Sequence, residues 1–217
     1  MVLEGVWRVC EKRVFTFPST DLLFNQYLDR AEGLDLPGAP AIRRRNLRSY
    51  LESFGARPKA LIVGEAAGPR GCRFSGVPFT GERLLEEGRL PFHGRRTSAR
   101  EPAYLEASGT ILWKALLPRF GEFLLWNAVP LHPHRPGEPL SIRPPSRAEI
   151  EAFSGALGEV IEALSPRRVV ALGRKAEAAL GLVGIEAAYV RHPSRSGARA
   201  FRAGIERALG GGARRGC

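Results

Sequence analysis

Four short apolar runs limit what this chain can fold into: 60–65 (ALIVGE), 122–129 (EFLLWNAV), 168–172 (RVVAL) and 186–190 (EAAYV). They are continuous rather than alternating, which suits strands buried on both faces. Between them lie helical patterns near 81–87, 106–117, 147–164 and 174–181, and another near 197–209 closes the chain. Ser146-Arg147-Ala148-Glu149 has capping-box spacing at one of these helix starts. Strands alternating with helices build βαβ units. The expected fold class is therefore α/β, a three-layer doubly wound domain with a four-stranded parallel sheet flanked by helices. Upstream, 19–32 reads as a helix capped by Ser19 or Thr20, with Leu22, Leu23 and Tyr27 on one side. A second helix is expected over 41–54, its solvated face carrying Arg43, Arg44, Arg45 and Arg48. With 217 residues, one domain is expected: an N-terminal helical segment 1–56, a core 57–209 and a flexible tail 210–217.

The formal net charge is +11, which suits a polyanionic partner, nucleic acid above all. Only four of the 33 basic residues are lysines (Lys12, Lys59, Lys114, Lys175), so the preference for arginine fits a GC-rich genome; the excess of base over acid does not follow from that bias. No apolar run reaches the length of a membrane span, and MVLEGVWRVCEKR lacks the pattern of a signal peptide. Cys10, Cys72 and Cys217 are isolated and form no CxxC, which favours neither a disulfide framework nor a zinc or iron–sulfur site. A reducing cytoplasm is the expected compartment.

Three loops follow three of the expected strands, and in doubly wound sheets ligands bind beyond the carboxyl ends of strands. The first loop, GEAAGPRG…GVPFTG, offers Gly64, Gly68 and Gly71, the carboxylate of Glu65 and the ring of Phe79. The second begins WNAVP and offers the amide of Asn127. The third, RHPSRSG, offers His192 held by Pro193, then Ser194, Arg195, Ser196 and, just beyond, Arg199. Neither GxGxxG nor GxxxxGK[ST] is present, so a mononucleotide cradle is not expected. His132 and His134 form an HxH without an adjacent carboxylate or cysteine, a poor ligand set for a metal.

In this order and spacing the motifs resemble the uracil-DNA glycosylase superfamily. GEAAG (64–68) is similar to its first motif, GVPFTG (76–81) to the segment with the stacking aromatic, WNAVP (126–130) to its asparagine-bearing strand end, and HPS (192–194) with SGARAF to its second motif and DNA-inserting loop. The nearest resemblance is to the bacterial branch with GEAPG-type loops, akin to single-strand-selective monofunctional enzymes. The iron–sulfur branch needs four cysteines, which this chain lacks.

The resemblance implies a monofunctional DNA glycosylase of base excision repair that works on a flipped-out base. It implies that Gly64, Ala66, Gly68 and Phe79 border the base, with Phe79 stacking on it, and that Asn127 reads its edge. It also implies that His192 steadies the charge of the leaving base, and that Ser194, Arg195, Ser196 and Arg199 meet DNA. No cofactor or metal is implied. The partner is DNA bearing uracil or a related damaged base, met by a monomer at the bacterial nucleoid. Relatives with an acid or amide two residues after the first glycine use it to position water, and here that residue is Ala66. Either Glu65 supplies the carboxylate or catalysis rests on stabilising the leaving group. Relatives that reject thymine carry tyrosine at the position of Gly68, which implies open space here and activity on 5-hydroxymethyluracil. Two alternatives remain: a non-catalytic DNA-binding relative, and an N-glycosidase acting on free nucleosides or nucleotides.

Overall fold

The computed structural model describes residues 2–210. The chain opens with α1 (Glu4–Val9), a π-helical turn (Cys10–Val14), β1 (Leu23–Phe24) and α2 (Ala39–Glu52). Then come β2 (Ala60–Ala66), α3 (Cys72–Ser75), α4 (Glu82–Glu86), α5 (Ala107–Leu116) and β3 (Phe123–Val129). The rest comprises β4 (His132–Pro133), α6 (Arg147–Leu164), β5 (Arg168–Leu172), α7 (Arg174–Leu182), β6 (Ala188–Val190) and α8 (Ala198–Ala208). Four strands form one parallel sheet in the order β3-β2-β5-β6, flanked by helices as expected. The expected flexible tail lies, but for Gly210, outside the described residues.

Every residue of β3 is buried, which is why its sequence is continuously apolar except for Asn127. As an edge strand it has main-chain groups that no neighbouring strand can take. One of them, the Leu125 N–H, donates to the Tyr50 hydroxyl of α2 at 2.8 Å. On the long helix α6, Ser146 Oγ accepts from Glu149 N–H at 3.2 Å while the Glu149 carboxylate accepts from Ser146 N–H at 2.6 Å, the reciprocal cap read from the sequence.

Two expectations for the N-terminal segment are corrected. Residues 19–32 do not form a helix: Leu23 and Phe24 pair antiparallel with Pro133 and His132. Leu23 and Tyr27 are buried four residues apart, which mimics helical periodicity. The polar residues between and before them satisfy the backbone in another way. Asn25 donates to the carbonyls of Val14 (2.8 Å) and Phe17 (2.6 Å), and Asn25 N–H donates to Ser19 Oγ (2.7 Å). Local side-chain bonds of this kind compete with a helical ladder.

The second correction concerns Arg43, expected on a solvated face and found at 0 % exposure. Its guanidinium shares Asp35 with Arg73, whose NH1 donates to Asp35 Oδ1 at 2.7 Å. Arg43 also donates to Thr97 Oγ1 (3.1 Å) and to the Gln26 carbonyl (3.0 Å). Glu82 completes this buried polar layer by accepting from the N–H groups of Thr97 and Ser98 and from the Ser98 hydroxyl. These groups tie the N-terminal segment, α3, α4 and the 95–98 segment together beside the site.

Removing one partner of such a buried cluster leaves uncompensated charge, which costs roughly 3–5 kcal/mol. Asp35→Ala should lower unfolding free energy by about that amount in urea denaturation, whereas Arg48→Ala, whose ion pairs with Glu4 and Glu52 are on the surface, should cost less than about 1 kcal/mol. Equal losses would contradict the buried role of Asp35.

Candidate active site at the sheet switch point

β2 pairs with β5 only from Ala60 to Val63, but with β3 as far as Ala66. The chain leaves β2 for β3 on one side and later takes up β5 on the other. A crevice therefore opens past Val63, at the point where the strand order reverses. Gly64 lies there, directly across from Asn127 in the β2–β3 register. Its missing side chain is a requirement: a Cβ on Gly64 would overlap the Cζ of Phe79 and stand 2.8 Å from Asn127 Oδ1. Ring, amide and bare backbone thus converge on one spot.

Phe79 holds its ring there through an unfavourable backbone, φ = 55°, in the left-handed region that suits glycine. Such a conformation costs on the order of 1–3 kcal/mol and survives only where neighbours enforce it. Here the neighbours are explicit. The Thr80 hydroxyl donates to the Pro78 carbonyl (3.0 Å), Trp113 Nε1–H donates to Thr80 Oγ1 (3.1 Å), and Gly109 of α5 leaves room for the Phe79 carbonyl.

His192 follows β6, its ring centroid 6.3 Å from that of Phe79. The Ser194 N–H donates to His192 Nδ1 at 3.2 Å, and Ser194 Oγ lies 2.8 Å from the same nitrogen. With Nδ1 accepting, a neutral ring carries its proton on Nε2. Burial, helped by the positive charge of Arg191, lowers the His192 pKa from its ordinary value and favours that neutral form. The loop then turns tightly through Arg195 (φ 49°) and Ser196 (φ 62°). Gly197 closes it, because a Cβ there would collide with the His192 carbonyl. Ser194, Arg195, Ser196 and Arg199 are exposed around this turn.

The remaining sequence candidates divide. Ala66 shares the Gly64–Asn127 face by strand alternation, with only a methyl group to offer. Glu65 alternates to the opposite face, where burial raises its pKa and Lys175 at the start of α7 opposes that rise. The structure does not bring Glu65 together with Asn127 and Phe79. His132 is buried behind the glycine loop, with Nδ1 2.8 Å from the Ala67 carbonyl and Nε2 3.1 Å from the Pro139 carbonyl, and burial lowers its pKa to about 4. Beside the loop, Arg70, Arg83 and Arg100 line a cleft of about 240 Å³.

The space beside Gly68 is not open, contrary to expectation. A Cβ there would stand 2.8 Å from Glu106 Oε1, and one at Gly71 would overlap the same carboxyl group. Glu106 precedes α5, and nothing in its local sequence, YLEASG, marks it as a site residue. Burial raises its pKa to about 7, with only a smaller opposing contribution from Ser108.

A model of the uracil DNA glycosylase superfamily matches residues 52–207 of the sequence. The chain belongs to the uracil DNA glycosylase superfamily. Among solved structures, wild-type SMUG2 of Pedobacter heparinus has the same fold, with a TM-score of 0.59 over 96% of this chain and 95% of that one, at 15% identity. No curated protein matches the chain. No described helix is long and apolar enough to cross a membrane.

The raised pKa of Glu106 has a consequence for stability. A carboxyl group with a raised folded pKa favours folding below its unfolded value of 4.5, and that contribution is lost as pH rises through about 7. Glu106→Gln should therefore melt higher than wild type at pH 8 and nearly equal to it at pH 4. Thermal melts at both values check this, and an equal difference at the two would contradict the shift.

Proposed function

We propose that this protein is a monofunctional DNA glycosylase that removes uracil and related deaminated bases from DNA in base excision repair. The observation that carries the reading is the convergence of the Phe79 ring, the Asn127 amide and the bare Gly64 main chain at the sheet switch point, with His192 beside them. A flipped base presents a flat face and a polar edge. Phe79 supplies a stacking surface for the face, and Asn127 offers both a donor and an acceptor to the edge of uracil. As the glycosidic bond breaks, its electron pair stays with the base as negative charge. His192 Nε2–H is the donor for that charge, and its neutral state keeps the proton in place without adding a buried cation. Hydrolysis needs nothing beyond water, so the reading requires no cofactor or metal.

The rim fits a polymer rather than a free nucleoside. Arg70, Arg83 and Arg100 line a cleft beside the first loop, and Arg195 and Arg199 are exposed on the last, which supports phosphate contacts on either side of an extruded nucleotide. The tight turn at Arg195 and Ser196 is the projecting element suited to the space that a flipped base leaves in a duplex.

Excision from oligonucleotides carrying uracil, hypoxanthine, xanthine or 5-hydroxymethyluracil, run beside free deoxyuridine, tests this reading. The expected result is release of uracil from the oligonucleotide and none from the nucleoside. His192→Ala should slow excision by roughly 10²–10³-fold, the scale for loss of one oxyanion donor, with DNA affinity little changed. Near-normal turnover in that variant would remove His192 from the site.

Arg195→Ala should impair duplex substrates more than single strands, because only a duplex has a vacancy to fill. Equal losses would reduce Arg195 to a phosphate contact. Affinity for undamaged DNA should fall steeply with added salt, and titrations at two salt concentrations measure the slope.

A further inference from the structure

We propose that Glu106 is the acid–base residue of the site, its carboxylate holding and deprotonating the water that attacks the sugar carbon. This rests on the glycosylase reading above. The site needs such a group, and the groups nearest by sequence do not provide it. Ala66 on the Asn127 face has only a methyl, and Glu65 projects from the opposite face of β2.

Glu106 stands where three glycines make room for it. A Cβ at Gly68, Gly71 or Gly109 would run into its carboxyl oxygens. Gly68 and Gly71 belong to the loop after β2, and Gly109 to the helix turn that receives the Phe79 carbonyl. The carboxyl group thus lies against the glycine-rich loop and the main chain that aims the stacking ring. Its Oε2 is sealed from solvent and has no hydrogen-bond partner among the described residues. A buried oxygen left without a partner is costly, and a ligand or water that completes it accounts for its place here.

Its surroundings leave its proton free to move. On the segments packed against it, Arg73 is committed to Asp35, Arg70 is exposed along the outer cleft, and the Glu82 carboxylate is occupied by Thr97 and Ser98. Cys72, whose thiol pKa is pushed up to about 12, is neutral at working pH. With its own pKa raised to about 7 by burial, Glu106 passes between base and acid in the physiological range.

The step balances. An O–H bond of water breaks and its proton goes to Glu106, while the oxygen forms a bond to the anomeric carbon. The C–N bond breaks, its electron pair leaves with the base, and His192 Nε2–H steadies the anion. Returning a proton to the base restores the Glu106 carboxylate.

The test is single-turnover excision of uracil from an oligonucleotide between pH 5 and 9, in wild type, Glu106→Gln and Glu106→Ala. Wild-type rates should rise through about pH 7, as the carboxyl group ionises. Glu106→Gln should lose about 10²–10³-fold at high pH and flatten the profile, with uracil-DNA affinity within about twofold of wild type. Glu106→Ala empties a cradle of the right size for a small carboxylate, so added formate should restore part of its rate. A Glu106→Gln enzyme with wild-type rate and pH profile overturns the assignment while leaving the glycosylase reading intact. Wild type that excises no base overturns both. If Glu106→Gln does not fold, the formate experiment decides alone, and absence of rescue overturns the assignment.

Discussion

The site exists because β2 loses one of its two neighbours. Through Val63 the strand is paired on both sides, and from Gly64 to Ala66 only on the β3 side. In a parallel sheet this parting of strands, where the order reverses, is where a crevice can form without breaking the core. The core elements constrain where the functional groups emerge. β3 carries Asn127 into register with Gly64, β6 delivers His192 from the far edge, and α5 holds the Phe79 turn from behind. None of these groups would be useful if β5 stayed paired with β2 for another turn of pleat.

The segments that flank the crevice are irregular, and buried polar structure next door holds them in place. Asp35, Arg43 and Arg73 form a fully buried charge cluster, and Glu82 collects three donors from Thr97 and Ser98. Such clusters contribute little net free energy compared with well-packed apolar side chains. They are directional, however, and they fix irregular segments that an apolar core would leave free to slide. The irregular segments here are those around the glycine loop and the Phe79 turn, where a strained backbone must be kept in place.

Electrostatics at the site follows one rule. Burial pushes each titratable group toward its neutral form: Glu106 and Glu65 upward, His192 and His132 downward. The consequence differs by residue. For His192 it secures a donor at Nε2, and for Glu106 it brings protonation into the working range. Outside, Arg70, Arg100, Arg195 and Arg199 are exposed, a basic rim around these buried groups. On the glycosylase reading proposed above, that arrangement draws in a polyanion while leaving His192 and Glu106 sensitive to the charge that develops on a base.

Much of this was legible in the sequence. The apolar runs of β2 and β3 pointed to a parallel sheet, because strands covered on both faces are apolar at nearly every position, while β6 at the far edge leaves Ala188 and Tyr189 exposed. The helices over 147–164 and 174–181 followed from periodicity and caps, and the glycine, asparagine and histidine motifs pointed to the strand ends. Tertiary structure decided what local patterns could not. Arg43 looked like one more surface arginine until Asp35 was brought against it, and 19–32 had helical spacing that side-chain bonds from Ser19 and Asn25 overrode. Glu65 looked like the site's acid by adjacency, yet strand alternation turned it away from Asn127. Glu106 carries no local signal, because its setting depends on glycines 35 and 38 residues upstream and on one three residues ahead. Periodicity reports which residues face the core, whereas the meeting of one carboxyl group with two gaps far upstream and one nearby is set only when the chain has folded.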